Sequence, residues 1–262
     1  MALTFLPDLR LNAESHGPKD GPPVVLLHAL GTNLRIWDQV IPLLPATCHI
    51  LALDMRGHGA SDVPTGPYAM GALIHDAERM MEQHAVQGAV VVGLSVGGMI
   101  AQGLAVKRLD LVRAMVLSNT AARIGTTAQW QARCAEVASG GMAAIADATL
   151  ERWLGRGWQA EPAMPRLRDI LMATDPAGWM GAAAAIAGTD FYTPTATLTL
   201  PTLAIAGTRD GSTPPDLVRE TAALIRGSQF ALIKRAGHVP MAERPAEYAG
   251  LLAGFLDRIG HA

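Results

Sequence analysis

The chain has 262 residues, half of them hydrophobic and 17% charged. That composition excludes a disordered polymer, and the length is enough to bury a sizeable core without disulfide or metal staples. With 21 basic and 23 acidic residues the net charge is −2, so there is no basic excess for a phosphate backbone and no nucleic-acid partner is expected.

The two cysteines, Cys48 and Cys134, do not make a disulfide framework. The first residues lack a basic region followed by a long apolar stretch. A cytoplasmic location and no membrane association are therefore expected.

In chain order, Val24 to Leu27 is a short apolar run that reads as a strand buried on both faces. The loop His28-Ala-Leu-Gly-Thr-Asn33 follows, then a helix-like stretch from Ile36 to Leu44. His49 to Leu53 reads as a second strand, ending at Asp54-Met-Arg-Gly-His-Gly59. Tyr68 to His84 has helical spacing. Ala89 to Leu94 reads as a third strand, Val96 to Lys107 as a helix and Ala114 to Leu117 as a fourth strand. Ala89 to Val106 approaches the length of a membrane span, but its glycines and Ser95 favour strand, sharp turn and helix.

Strands alternating with helices imply a mostly parallel sheet flanked by helices, an α/β class. The rhythm then stops. Residues 121–188 hold no convincing strand but four of the five tryptophans, and read as an inserted helical cap. The core is then residues 1–120 and 189–262. Strands resume at Thr202 to Ala206 and Gln229 to Ile233, with a helix near Asp216 to Ile225 and a last one from Pro245 to Ile259.

Gly93-Leu-Ser95-Val-Gly97 matches G-x-S-x-G between a strand and a helix, the context of a nucleophile elbow. A serine needs a base to take its proton. After Ser95 only His238 and His261 remain. His261 is expected to fray near the C-terminus, so His238, just past a strand, is the candidate base. Asp210, past another strand, is the candidate acid that orients it. Asp216 fits the cap of the next helix, and Asp54 a structural role at the Arg56–Gly59 loop. The backbone N–H groups of Val96 and Leu30 are the candidate oxyanion hole, with His28 bracing the Leu30 loop.

With these residues in place, the chain resembles the α/β-hydrolase fold, with an inserted helical cap. More narrowly it resembles the 3-oxoadipate enol-lactonases of the β-ketoadipate pathway of bacterial aromatic catabolism. The likeness rests on Gly93-Leu-Ser-Val-Gly-Gly-Met99 with Gln102, and on Leu117-Ser-Asn-Thr-Ala-Ala-Arg-Ile-Gly-Thr126. Glu151-Arg-Trp-Leu154, Asp175-Pro-Ala-Gly-Trp179 and Ala204-Ile-Ala-Gly-Thr-Arg-Asp-Gly-Ser-Thr-Pro-Pro215 add to it. Val96 stands where the family usually has Met, and Ala29 where it usually has Gly.

The resemblance implies a serine hydrolase that opens an enol-lactone carboxylate through an acyl-enzyme. Arg133 and Arg152 are then candidate partners of the substrate carboxylate, and Trp130 and Trp153 its apolar walls. The alternative is that both arginines are solvated and both tryptophans only fill the cap. No metal or nucleotide cofactor is implied, since no ligand spacing or phosphate loop is present. Cys134 reads as a buried structural thiol. Two other readings stay open: another esterase, lactonase or cofactor-free perhydrolase on this scaffold, or a non-catalytic small-molecule receptor.

Overall fold

A computed structural model describes residues 2–262. Eight strands form one sheet: β1 (Ala2–Phe5), β2 (Arg10–His16), β3 (Pro23–Leu27), β4 (His49–Leu53), β5 (Ala89–Leu94), β6 (Val112–Ser118), β7 (Thr202–Gly207) and β8 (Gln229–Ile233). Their spatial order is β1-β2-β4-β3-β5-β6-β7-β8. β2 runs antiparallel to both of its neighbours, β1 and β4, and the remaining pairs are parallel.

The central strands owe their place to uninterrupted apolar runs. Every residue of β4, β5 and β7 is buried, as expected of strands covered on both faces. The helices are α1 (Met70–Gln83), α2 (Val96–Lys107), α3 (Thr127–Leu154), α4 (Met164–Met172), α5 (Pro176–Ala187), α6 (Tyr192–Thr195), α7 (Pro215–Leu224), α8 (Pro240–Glu243) and α9 (Pro245–Arg258). No single helix among the described residues is long and apolar enough to cross a membrane.

The register places the functional loops together. Leu27 pairs with Gly93, Leu94 with Ser118, Ser118 with Ile205 and Gly207 with Ile233. The loops after β3, β5, β6, β7 and β8 therefore leave the same edge of the sheet. In open α/β sheets, ligands bind outside this carboxyl edge.

Helices α3 to α6 lie between β6 and β7. Local chemistry sets their starts. Thr126 and Gln129 form a reciprocal capping box at α3. Asp175 accepts the amides of Ala177 and Gly178 at α5. Within α3, Gly141 at φ 64° breaks the helical path.

Several expectations are corrected. The stretch from Ile36 to Leu44 is not one helix but two 3₁₀ turns, Leu34–Trp37 and Ile41–Leu43, since Pro42 has no N–H to continue a helix from the first turn. Asp216 does not cap α7. Pro214 holds that position and Asp216 lies in the first turn, where its charge still suits the helix dipole. His261 is buried rather than frayed, and its Nε2 lies 2.8 Å from the Pro23 carbonyl. Cys134 is half-buried rather than buried. Strands β1 and β2 carry no apolar run and were not expected. β2 nevertheless pairs along β4, burying Leu11, Asn12 and Ala13 and leaving Arg10 and Ser15 exposed.

Candidate active site

Ser95 follows β5 and opens α2. Its backbone is at φ 57° and ψ −117°, a left-handed conformation rare for a side-chain-bearing residue. Such strain persists only where the surroundings fix it, and here they do. The Ser95 amide donates to Ser118 O at 3.0 Å. Its carbonyl accepts the Thr120 hydroxyl at 2.6 Å and the Gly98 amide at 2.9 Å. Gly97 lets the new helix press on β3: a Cβ there would lie 2.4 Å from Leu27 O.

His238 lies between β8 and α8, and is 2% exposed. Its Nδ1 is 2.8 Å from Asp210 Oδ2. An ionised carboxylate only accepts, so Nδ1 carries the proton and Nε2 is left with a free lone pair. That is the tautomer a general base needs.

Asp210 is held by more than the histidine. Oδ1 accepts the amides of Ser212 (2.7 Å) and Thr213 (3.1 Å). Oδ2 accepts the Thr213 hydroxyl (2.7 Å) and Asn119 Nδ2 (2.8 Å) as well as His238. Burial pushes this carboxyl upward, but the facing imidazole and the hydrogen bonds outweigh it, and the balance lies below the usual aspartate range.

Asn119 was part of a resembling segment but was not expected in the site. It follows β6 at φ 43°. Besides Asp210, its amide donates to Gly237 O at 3.1 Å, so one side chain ties the acid to the loop of the base. The only sequence signal was an asparagine just past a strand, a residue type that tolerates φ > 0.

The end of α3 also touches these loops. The Arg152 carbonyl accepts the Gly211 amide at 2.9 Å, and the Trp153 carbonyl accepts the His238 amide at 2.6 Å. Gly237 makes the approach possible, since a Cβ would sit 1.8 Å from Trp153 O. The Trp153 ring stacks on His238, with centroids 6.4 Å apart.

The loop after β3 is braced from within. Thr32 and Ala29 exchange hydrogen bonds. His28 Nε2 accepts the Met55 amide at 3.0 Å, which leaves Nδ1–H for Ala29 O at 2.8 Å. His58 Nε2 accepts the Gly31 amide at 3.1 Å. Burial pulls His28 down to about 4 and His58 to about 3, so both are neutral near pH 7. Asp54 accepts the amides of Leu34 and Ala60 and the Asn12 side chain. Among the described residues, neither the Leu30 nor the Val96 amide donates to another protein group.

Leu30, Ser95 and His238 line one cavity of about 280 Å³. From the helices after β6 it receives Trp130, Arg133, Arg152, Trp153 and Trp179. Both arginines are half-buried rather than solvated. Arg133 stacks on Trp130 at 4.7 Å, and Arg152 Nη2 donates to Thr149 Oγ1 at 3.0 Å. Burial first, then the charge of Arg133, lowers Arg152 to about 10, with Glu136 and Glu151 opposing. It stays protonated at neutral pH. Among the described residues, no three His, Cys, Asp or Glu side chains gather in a group fit for a metal ion.

The fold and this arrangement define the class. The chain belongs to the Alpha/beta hydrolase family, which residues 24–251 match, and is by that membership a hydrolase. Within the family it is 31% identical over 205 residues to 3-oxoadipate enol-lactonase 2 of Acinetobacter baylyi, covering 78% of this chain and 77% of that protein. The crystal structure of the enol-lactonase from Burkholderia xenovorans LB400 superposes with a TM-score of 0.94 at 31% identity, over 98% of this chain and 100% of that one. A thermophilic esterase from Thermogutta terrifontis, with malate bound, gives a TM-score of 0.90 at 26% identity, over 99% and 97%. The enol-lactonase resemblance read from the sequence agrees with the first two.

Proposed function

We propose that this protein is a serine hydrolase that opens 3-oxoadipate enol-lactone to 3-oxoadipate. Ser95 Oγ attacks the lactone carbonyl carbon as His238 Nε2 takes its proton. Asp210 holds the imidazole in the right tautomer and stabilises the imidazolium. The Leu30 and Val96 amides receive the oxyanion. The ring C–O bond then breaks, His238 returns the proton to the departing enolate, and the enol becomes the ketone. Water adds to the acyl-enzyme with His238 again as base, freeing the acid and restoring Ser95.

The observation that carries the substrate class is the arginine pair. Arg133 and Arg152 face the cavity that Ser95 and His238 line, and neither forms an ion pair among the described residues. Two partly desolvated like charges repel, and an anionic ligand relieves that cost. A carboxylate meets guanidinium groups with bidentate geometry. We take residues 121–188 as a cap that supplies them, with Trp130 and Trp153 as apolar walls. The enol-lactone relatives point to the particular lactone.

Arg152→Gln tests the reading. It should lower kcat/KM for a carboxylate-bearing ester or lactone by on the order of tenfold to a hundredfold, mostly through KM. An uncharged aryl acetate should be nearly unaffected. Equal losses on both substrates would contradict a carboxylate subsite and favour a general carboxylesterase.

A further inference from the structure

Glu243 is a buried carboxylate, 7% exposed, at the end of α8. Nothing in the hydrolytic cycle above uses it. Both of its oxygens lie 2.9 Å from the Gly237 amide, and Oε1 lies 3.3 Å from the Val239 amide. These are the N–H groups of the two residues on either side of His238. Two further bonds reach this loop from other elements: Asn119 holds Gly237 O, and Trp153 O holds the His238 amide.

We propose that Glu243 is a positioning residue for His238: its carboxylate grips the flanking amides of Gly237 and Val239 and so keeps the imidazole aligned on Asp210. The proposal rests on His238 being the base of the reaction. Charge-assisted bonds to backbone amides are about twice as strong as neutral ones. A base aimed by such a grip loses alignment when the charge is removed.

The surroundings make the grip sensitive to pH. Burial raises Glu243 to about 7 against the opposing pull of the two amides, and the charge of nearby Glu161 adds to the rise. Arg244, next in sequence, opposes it. Glu161 is itself engaged by Arg209, which precedes Asp210, and lies 3.8 Å from Arg244. Arg244 Nη2 also donates to Arg235 O, at the start of the His238 loop. The sign follows. Above about pH 7 the carboxylate is ionised and the grip is complete. Below it the group takes up a proton and one acceptor becomes a hydroxyl.

The test compares the whole protein with Glu243→Gln on 4-nitrophenyl acetate, with active sites counted by a fluorophosphonate. Glutamine imitates the protonated carboxyl. Per labelled site, kcat/KM of the parent should exceed that of Glu243→Gln by about tenfold at pH 8.5, chiefly in kcat. The ratio should shrink towards one by pH 5.5, with its midpoint near 7. A ratio near one at pH 8.5 overturns the proposal, and so does a ratio that does not change with pH, which is what a merely structural residue gives.

If Glu243→Gln does not fold, Glu243→Asp keeps the charge one methylene further from the amides. It should show a loss smaller than tenfold at pH 8.5, and an unchanged kcat/KM there overturns the proposal. His238→Ala separates the two levels. Retained turnover in that variant removes the reading of His238 as base. An inactive His238→Ala beside a fully active Glu243→Gln removes only the role of Glu243.

Discussion

Replacing Asp210 by asparagine changes one atom and leaves the volume intact, so its effect can be worked from the hydrogen bonds. The five donors divide between the two oxygens. Two rigid backbone amides, Ser212 and Thr213, face Oδ1, while His238 Nδ1, Asn119 Nδ2 and the Thr213 hydroxyl face Oδ2. An asparagine has one acceptor oxygen and must turn its NH₂ towards one of these groups. The backbone amides cannot move away, so the oxygen goes to them and the NH₂ faces His238. The hydroxyl can rotate, and the imidazole can shift its proton from Nδ1 to Nε2. That shift removes the lone pair that would deprotonate Ser95. Loss of the correct tautomer costs about 10⁴-fold in kcat, or about 5.5 kcal/mol of barrier. KM should change little. The assay is steady-state kinetics on an aryl acetate with active sites counted by a fluorophosphonate, and ¹⁵N NMR of the histidine for the tautomer. A folded Asp210→Asn protein within tenfold of the parent would show that His238 keeps its working tautomer without the carboxylate.

Asn119→Ala removes the amide that bridges Asp210 and the His238 loop, and places alanine at φ 43°. It should lose about 1–3 kcal/mol of stability, read by urea denaturation, and about tenfold or more in kcat. An unchanged kcat in the folded variant would contradict the bridging role. The parent should lose stability as acid is added. His28 is held neutral, so the unfolded chain binds its proton first, and stability falls as pH drops from 6.5 towards about 4. That fall corresponds to about 3 kcal/mol from His28, with His58 adding in the same direction. A urea midpoint flat over this interval would contradict the buried neutral histidines.

The parts of the fold that were legible in the sequence are those fixed by local composition. β5 and α2 could be bounded to the residue because a valine run meets the small residues around Ser95. His238 and Asp210 could be singled out because few titratable residues follow strands beyond the elbow. The N-terminal strands were not legible, because β2 is polar along much of its length and is a strand through its pairing with β4. His261 could not be placed from sequence, since its burial depends on the Pro23 carbonyl, far away in the chain. Asn119 and Glu243 escaped for a similar reason. Each acts on backbone or carboxylate groups that only the sheet register and the loop after β8 bring near. The carbonyls of Arg152 and Trp153 carry no sequence signal at all, yet they bond to the loops of Asp210 and His238.

On the proposed function, chemistry at Ser95 and charge at Arg133 and Arg152 together set the substrate preference. The most direct measurement is kcat/KM on freshly generated 3-oxoadipate enol-lactone, beside an uncharged aryl ester and a saturated γ-lactone. A strong preference for the enol-lactone is the expected result. Comparable or better turnover of the other two would contradict that preference and make the protein a general esterase or lactonase.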